Sequence, residues 1–305
     1  MDAILLNQFG SVTELQSARV DRPTLKPKQI LVANHAVALD PYDVKFVMGL
    51  MGEADRLPLI PGSSVAGEVV AVGAAVTDFQ IGDRVAASRH HQTYAEFVPV
   101  GQSALAKIPD NLSDVTAAAS VLGAATGYQM MTRDLDIQAG EKILIQGGTG
   151  SVGTTAIQVA LMRGAEVYTT ASSRNNAFLE QFGPVHCIDY KTAYEQTLSD
   201  FDAVLDSIGG ETTVKSAKIL KLGGRLRNLS NDAQLEDLSH RYQIDAQNSF
   251  ATGKGDLLQE LFTLIAQGTI KIPIAEVLPF SQNNLQQAHH ALRQSSPLGK
   301  IVLEQ

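Results

Sequence analysis

Apolar and polar positions fall into two regimes along the chain. Up to about residue 110 the apolar runs are short, rich in β-formers and cut by Gly and Pro. Residues 3–6, 29–38, 64–72, 84–87 and 94–100 read as strands, with Pro58, Pro61, Gly73 and Gly82-Asp83 at the turns between them. From Glu141 to about Gln267 short apolar runs alternate with amphipathic ones. Residues 142–146, 166–170, 186–188, 203–206 and 225–229 are expected strands. Residues 175–182 and 211–219 are expected helices between them, and 257–266 is a further helix stopped by Gly268. Such alternation predicts a parallel sheet with helices on both faces. Asn111 and Ser113 offer helix caps ahead of the small-residue stretch DVTAAASVLGAATGYQMM, and the domain boundary is set there. The tail holds one helix, 283–294, and one strand, 300–303, too little for a core of its own. The expectation is an α/β chain: a mostly β domain of residues 1–112 completed by 270–305, and a doubly wound parallel-sheet domain of residues 113–269.

The stretch KILIQGGTGSVG, residues 142–153, carries the most chemistry. An apolar strand runs into a glycine turn and then into the helical pattern TTAIQVALMRGA. Gly148, Gly150 and Gly153 have G-x-G-x-x-G spacing in strand–turn–helix context, the fingerprint of a dinucleotide site. Thr149, Gly150, Ser151 and Val152 are placed to cradle a pyrophosphate at the helix N-terminus. An NAD site carries an acid at the end of the second strand, about 20 residues on, to hold the ribose 2′-OH. Here the chain reads VYTTASSRNN, with no acid between Val167 and Phe178 and with Ser172, Ser173 and Arg174 in its place. Hydroxyls and a guanidinium suit a 2′-phosphate, so the expected cofactor is NADP(H); the serines also suit a helix cap. Tyr190 and Lys191 follow the third strand, Tyr190 placed to stack at the adenosine end. Ile208 and Gly209 follow the fourth strand, where small residues let a cofactor ribose approach, and Ser230 ends the fifth.

Composition narrows the remaining classes. The 305 residues are 44% hydrophobic and 18% charged, enough for two packed cores. A net charge of −8 argues against nucleic acid or an anionic membrane as partner. No apolar run reaches membrane-spanning length and the N-terminus lacks a signal-peptide pattern, so the expected location is cytoplasmic. One cysteine, Cys187, allows neither a disulfide framework nor a cysteine-cluster zinc site.

Taken in order, the motifs resemble the medium-chain dehydrogenase/reductase superfamily, and within it the zinc-free quinone oxidoreductases. The resemblance runs over nearly the whole chain: LPLIPGSSVAGEVVAVG at 57–73, GDRV at 82–85, YAEFVPV at 94–100, LGAATGYQMM at 122–131, the glycine loop, FDAVLDSIGG at 201–210, LKLGGRL at 220–226 and GKIVL at 299–303. It implies a GroES-like domain beside a Rossmann domain, with the last strand returning to the first domain, and a homodimer. Zinc-dependent relatives have Cys at Asp40 and Gly-His-Glu at Gly62-Ser63-Ser64, and they carry a four-cysteine zinc loop that is missing here. Ser63 is a poor zinc ligand and a lone Asp40 makes no tetrahedral site, so no metal is expected.

By matching motif, the resemblance places Thr126 near the nicotinamide, and Phe250 and Lys300 over the cofactor. It puts the substrate at 40–45, DPYDVK, where Asp40 stands for the Asn of related reductases. The implied reaction is hydride transfer from NADPH to a quinone or an α,β-unsaturated carbonyl. Tyr42 and Lys45, with Asp40 beside them, are the candidate groups for charge developing on substrate oxygen. Two other readings stay open: an NADPH-binding sensor or structural protein without turnover, and a zinc-free carbonyl or alcohol oxidoreductase. His90 and His91, in SRHHQ, read as a loop or pocket rim, and Cys187 as a small hydrophobe.

Overall fold

Strand formation follows the apolar runs. In a computed structural model, which describes residues 1–51, 56–294 and 297–305, β1 (Asp2–Leu6) pairs antiparallel with β2 (Leu15–Arg19). β2 buries only Leu15 fully, which is why its apolar pattern does not announce it. β3 (Gln29–Ala38) is the long strand of the first sheet. Pro41 opens α1 (Pro41–Val47), a position where its missing N–H costs nothing. β4 (Ser64–Val72), β5 (Arg84–Ser88), β6 (Phe97–Gly101) and β7 (Ala106–Lys107) continue the antiparallel sheet. The run expected at 94–100 starts three residues late: Tyr94 and Ala95 bond to β1 instead, through an isolated bridge at Ala3–Ala95.

α2 (Asp114–Ala119) is capped by the Ser113 hydroxyl, which accepts the Thr116 N–H. Wide turns at Ser120–Ala124 and Met130–Asp134 flank α3 (Ala125–Gln129). Six parallel strands follow with their crossovers: β8 (Lys142–Ile145), α4 (Ser151–Met162), β9 (Glu166–Ala171), α5 (Asn176–Leu179), β10 (His186–Asp189), β11 (Phe201–Asp206), α6 (Glu211–Ile219), β12 (Leu220–Asn228), α7 (Leu235–Tyr242) and β13 (Asp245–Asn248). Their order is β10-β9-β8-β11-β12-β13, the doubly wound dinucleotide-binding arrangement that reverses between β9–β8 and β11. β13 and α7 lie outside the sequence expectation, since Asp-Ala-Gln-Asn is too polar to read as a strand. The 175–182 helix is instead broken, with only four residues of α-helix between two tighter turns.

After α8 (Gly255–Ala266) the chain forms β14 (Ile274–Pro279), α9 (Gln282–Gln294) and β15 (Lys300–Glu304). β15 pairs with β3 at Ala36–Ala38 and carries β14 on its other side, giving the order β14-β15-β3-β4-β5-β7 with β6 also on β3. The tail therefore holds two strands rather than one, and it completes the first sheet. One apolar core gathers Ile4, Leu6, Leu39, Phe46, Tyr94, Leu285 and Leu303; a second in the same unit gathers Val32, Val65, Val85 and Val98.

The compact units are residues 1–123 with 253–305, and residues 124–252, in place of the expected 1–112 with 270–305, and 113–269. The shift has a contact-level cause. Asp114, at the start of α2, is held by Arg84 and His35. α8 lies against β7: Gln259 bonds Lys107 through N–H and C=O, and Asn111 donates to Ala266 O. Both helices pack on the first sheet, although they lie next to the second in chain order. Among the described residues no helix is long and apolar enough to cross a membrane.

Candidate functional site

The cofactor candidates converge at the carboxyl edge of the six-stranded sheet. β8 is followed by Gln146, tied inside: its amide donates to Tyr194 Oη at 2.7 Å and Ser216 Oγ at 3.0 Å and accepts from Thr170 at 2.6 Å. The glycine turn then fits a dinucleotide on steric grounds. A Cβ on Gly148 would stand 2.1 Å from Thr169 Oγ1, and one on Gly153 2.4 Å from Gly147 O, so both must be bare for the turn to close on strand and helix. Gly150 caps α4, and the first intrahelical bond is Thr154 N to Gly150 O at 2.8 Å. The N–H groups of Ser151, Val152 and Gly153 precede it, free of intrahelical partners and set for phosphate oxygens.

Thr126 lies on α3, which packs on α4 closely enough that a Cβ on Gly127 would meet Val152 O at 2.4 Å. Gln129 on the same helix ties down the segment after β13, donating to Phe250 O at 3.0 Å and accepting from Thr252 N at 2.9 Å. Phe250 itself is exposed. Ile208 and Gly209 follow β11, both N–H groups bonded to the buried Asp206 carboxylate. Ser230, after β12, bonds Asn228 Oδ1 and sits against Gly209. Asp206 and Asn228 are the unforeseen framework here: Thr213 and Asn228 both donate to Asp206, which fixes the two loops together.

At the end of β9 the chain leaves no acid on the Ser172–Arg174 turn, and Arg174 is exposed. Ser173 is different from the expectation. It bonds Asp189, at the end of β10, whose carboxyl is held low first by the Lys191 N–H and then by Ser173. Arg174 and Tyr190 are exposed and Ser172 is half-buried, with Lys191 over the Tyr190 ring at 5.9 Å. Asp189 was missed because it stands one strand away from where the ribose rule looks.

Lys300, expected over the cofactor, lies on β15, 6% exposed, with Nζ 2.6 Å from Asp40 Oδ1 and 2.6 Å from Leu39 O. Asp40 is 3% exposed, so neither member of this ion pair is open to a ligand. Asp43, 1% exposed, accepts from Asp40 N and from Ser63 Oγ, both at 2.8 Å, and burial first, then the Asp40 charge, pushes its carboxyl up to about 7. Ser64 Oγ bonds both backbone groups of Ala38. Sequence reasoning named neither Asp43 nor Ser63 as partners, although the Asp40–Asp43 spacing is that of a reciprocal helix cap.

Tyr42 and Lys45 stand on the open side of α1. Tyr42 is half-buried, its ring 6.3 Å from Phe46 and 5.1 Å from His90; burial, then the Asp43 charge, raises its phenol. Lys45 is exposed. His91 packs on Phe46 at 4.3 Å, and burial with neighbouring cations lowers its imidazole. Cys187 is half-buried and its thiol is raised by burial, against a nucleophilic role. No group of three or more His, Cys, Asp or Glu placed to hold a metal occurs among the described residues.

The chain is similar to known proteins over nearly its whole length. Residues 26–141 match the alcohol dehydrogenase GroES-like domain, and residues 182–303 match the zinc-binding dehydrogenase family. A 2-methylene-furan-3-one reductase of Solanum lycopersicum is 31% identical over 99% of this chain and 79% of its own length. A chloroplastic NADPH-dependent alkenal/one oxidoreductase of Arabidopsis thaliana is 30% identical, with the same coverage. The solved quinone oxidoreductase of Coxiella burnetii superposes with a TM-score of 0.93 at 28% identity, covering 100% of this chain and 99% of that one.

Proposed function

The chain belongs to the medium-chain dehydrogenase/reductase superfamily, and on that premise we propose that it is a zinc-independent reductase of α,β-unsaturated carbonyls or quinones that uses NADPH. The observation that carries the cofactor choice is the end of β9. The turn there holds Ser172 and the exposed Arg174 and no carboxylate, which favours a 2′-phosphate over a bare ribose. The substrate class follows the relatives' names, two of which are reductases of conjugated ketones or alkenals.

When bound, NADPH supplies the hydride. The N–H groups at the start of α4 would hold its pyrophosphate, Arg174 and Ser172 would hold its 2′-phosphate, Thr126 would stand near its nicotinamide and Phe250 would close over it. Tyr42, kept protonated by its raised phenol, donates a hydrogen bond to substrate oxygen as negative charge develops there, with Lys45 as a second donor. The zinc-independent reading rests on donor chemistry. Asp40 is engaged by Lys300, and the Ser63 hydroxyl donates to Asp43, so the positions that would ligate zinc are occupied with internal bonds. A homodimer and a cytoplasmic location belong to the same reading.

The test is a titration with NADPH and NADH, followed by an acceptor panel of short enals, enones and orthoquinones. NADPH binding at least tenfold tighter, with C=C or quinone reduction, is expected. Equal binding of NADH sinks the Arg174 argument; tight NADPH binding with no turnover on any acceptor makes the chain a binding protein.

A further inference from the structure

After β13 the backbone makes one more ladder bond, Ser249 N to Asn228 O at 2.9 Å. Residues 250–254 then run exposed, in neither helix nor strand, to the start of α8. Gln129, on α3 and 4% exposed, meets them with its amide. Nε2 donates to Phe250 O at 3.0 Å, and Oε1 accepts from Thr252 N at 2.9 Å and from Thr252 Oγ1 at 3.0 Å. Nε2 also donates to Asp134 Oδ2 at 3.1 Å. Both donors and both lone pairs of the amide are thus used, and three of the four bonds go to this one segment.

These bonds have the pattern of a ladder. Phe250 O and Thr252 N flank Ala251, and they are the two backbone groups that a neighbouring parallel strand would take. A side-chain amide stands in for that strand. Its orientation is fixed, since one end meets a carbonyl and the other an N–H. Residues 250–254 are all exposed, so burial does little to hold them and the polar tether decides their place. The Phe250 ring is 62% exposed, and the bond at its own carbonyl, not packing, sets where the ring stands. The tether also has a direction. Gly127, two residues before Gln129, lies so close to α4 that a Cβ on it would stand 2.4 Å from Val152 O, in the first turn of that helix. The segment after β13 is therefore anchored to the helix that abuts the phosphate-binding turn.

We propose that Gln129 is a positioning residue for the cofactor: it holds residues 250–252 extended and so keeps Phe250 where it would close over bound NADPH. The role rests on the reading of the chain as an NADPH-dependent reductase. Gln129 acts through Phe250, so its effect is on how long a bound dinucleotide stays, not on the hydride step. Losing the tether frees the segment to open, which speeds departure of the cofactor more than it slows arrival.

Two readings on the full chain test this. Hydrogen exchange without cofactor is expected to run about tenfold faster over residues 249–253 in Gln129→Leu than in the wild type, with β8 and α4 unchanged. Stopped-flow release of NADPH is expected to be about tenfold faster in Gln129→Leu, with the on-rate within about twofold. Phe250→Ala is expected to speed release as well, and the double variant to release within about twofold of Phe250→Ala alone, since the two residues act as one. Unchanged exchange over 249–253 overturns the tether. Faster exchange with unchanged release, or effects that multiply in the double variant, overturns the positioning role while NADPH binding by the wild type leaves the reductase reading standing. A wild type that binds neither NADPH nor NADH overturns both. Should Gln129→Leu not fold, Thr252→Pro removes the N–H and the hydroxyl from the exposed side of the same contact and carries both readings to the same outcomes.

Discussion

Lys300→Met tests whether the buried ion pair holds the first unit together. The side chain keeps its length and apolar stem, so the change isolates the ammonium. It removes two short contacts, 2.6 Å to Asp40 Oδ1 and 2.6 Å to Leu39 O, and leaves Asp40 with no cation in a site 3% exposed. Removing one partner of such a pair costs about 3–5 kcal/mol, because the other charge stays buried and unpaired. At about 2–4 °C per kcal/mol for a unit of this size, Tm falls by about 6–20 °C. The assay is calorimetry at neutral pH, following the transition of the unit that contains β15. Lys300→Met with Asp40→Asn removes both charges together and is expected to recover at least half of the loss. A fall of less than about 2 °C, or a double variant that is worse than Lys300→Met alone, refutes the claim that the pair is coupled.

Arg174→Ala is expected to weaken NADPH binding by about 10–100-fold, the worth of one or two charged hydrogen bonds, and to leave NADH binding within about twofold; fluorescence titration reads both. Gly153→Ala is expected to abolish binding of either cofactor, since its Cβ would stand 2.4 Å from Gly147 O; circular dichroism checks that the sheet survives. His289, pushed down to about 3 in the fold, contributes stability that is present above 6.5 and is lost as pH falls toward about 3; Tm against pH is expected to decline over that interval and to decline less in His289→Gln. Tyr42→Phe is expected to lower kcat by about 10–100-fold at unchanged NADPH affinity, and an unchanged kcat would remove Tyr42 from the reaction.

Much of the dinucleotide unit was legible because its rules are local. Strand, turn and helix at 142–162 follow one another in the chain, and the loop glycines are required by contacts within a few residues. The Ser172–Arg174 turn is read the same way, by counting along one strand and its sequel. What escaped in this unit escaped for a physical reason. β13 is a polar strand at the sheet edge, paired with β12, and Asp189 reaches Ser173 from the end of the neighbouring strand.

Tertiary structure alone decided the rest. It moved α2 and α8 to the first sheet, through side-chain bonds between Asp114 and Arg84 and between Gln259 and Lys107, and these leave no periodic trace. It also pairs Lys300 with Asp40, 260 positions earlier in the chain. Composition and spacing specify which backbone segments can form strands, helices and tight turns, since those preferences act between near neighbours. Which buried charge meets which depends on strand pairing between distant segments, here β15 on β3, and that is a property of the folded chain.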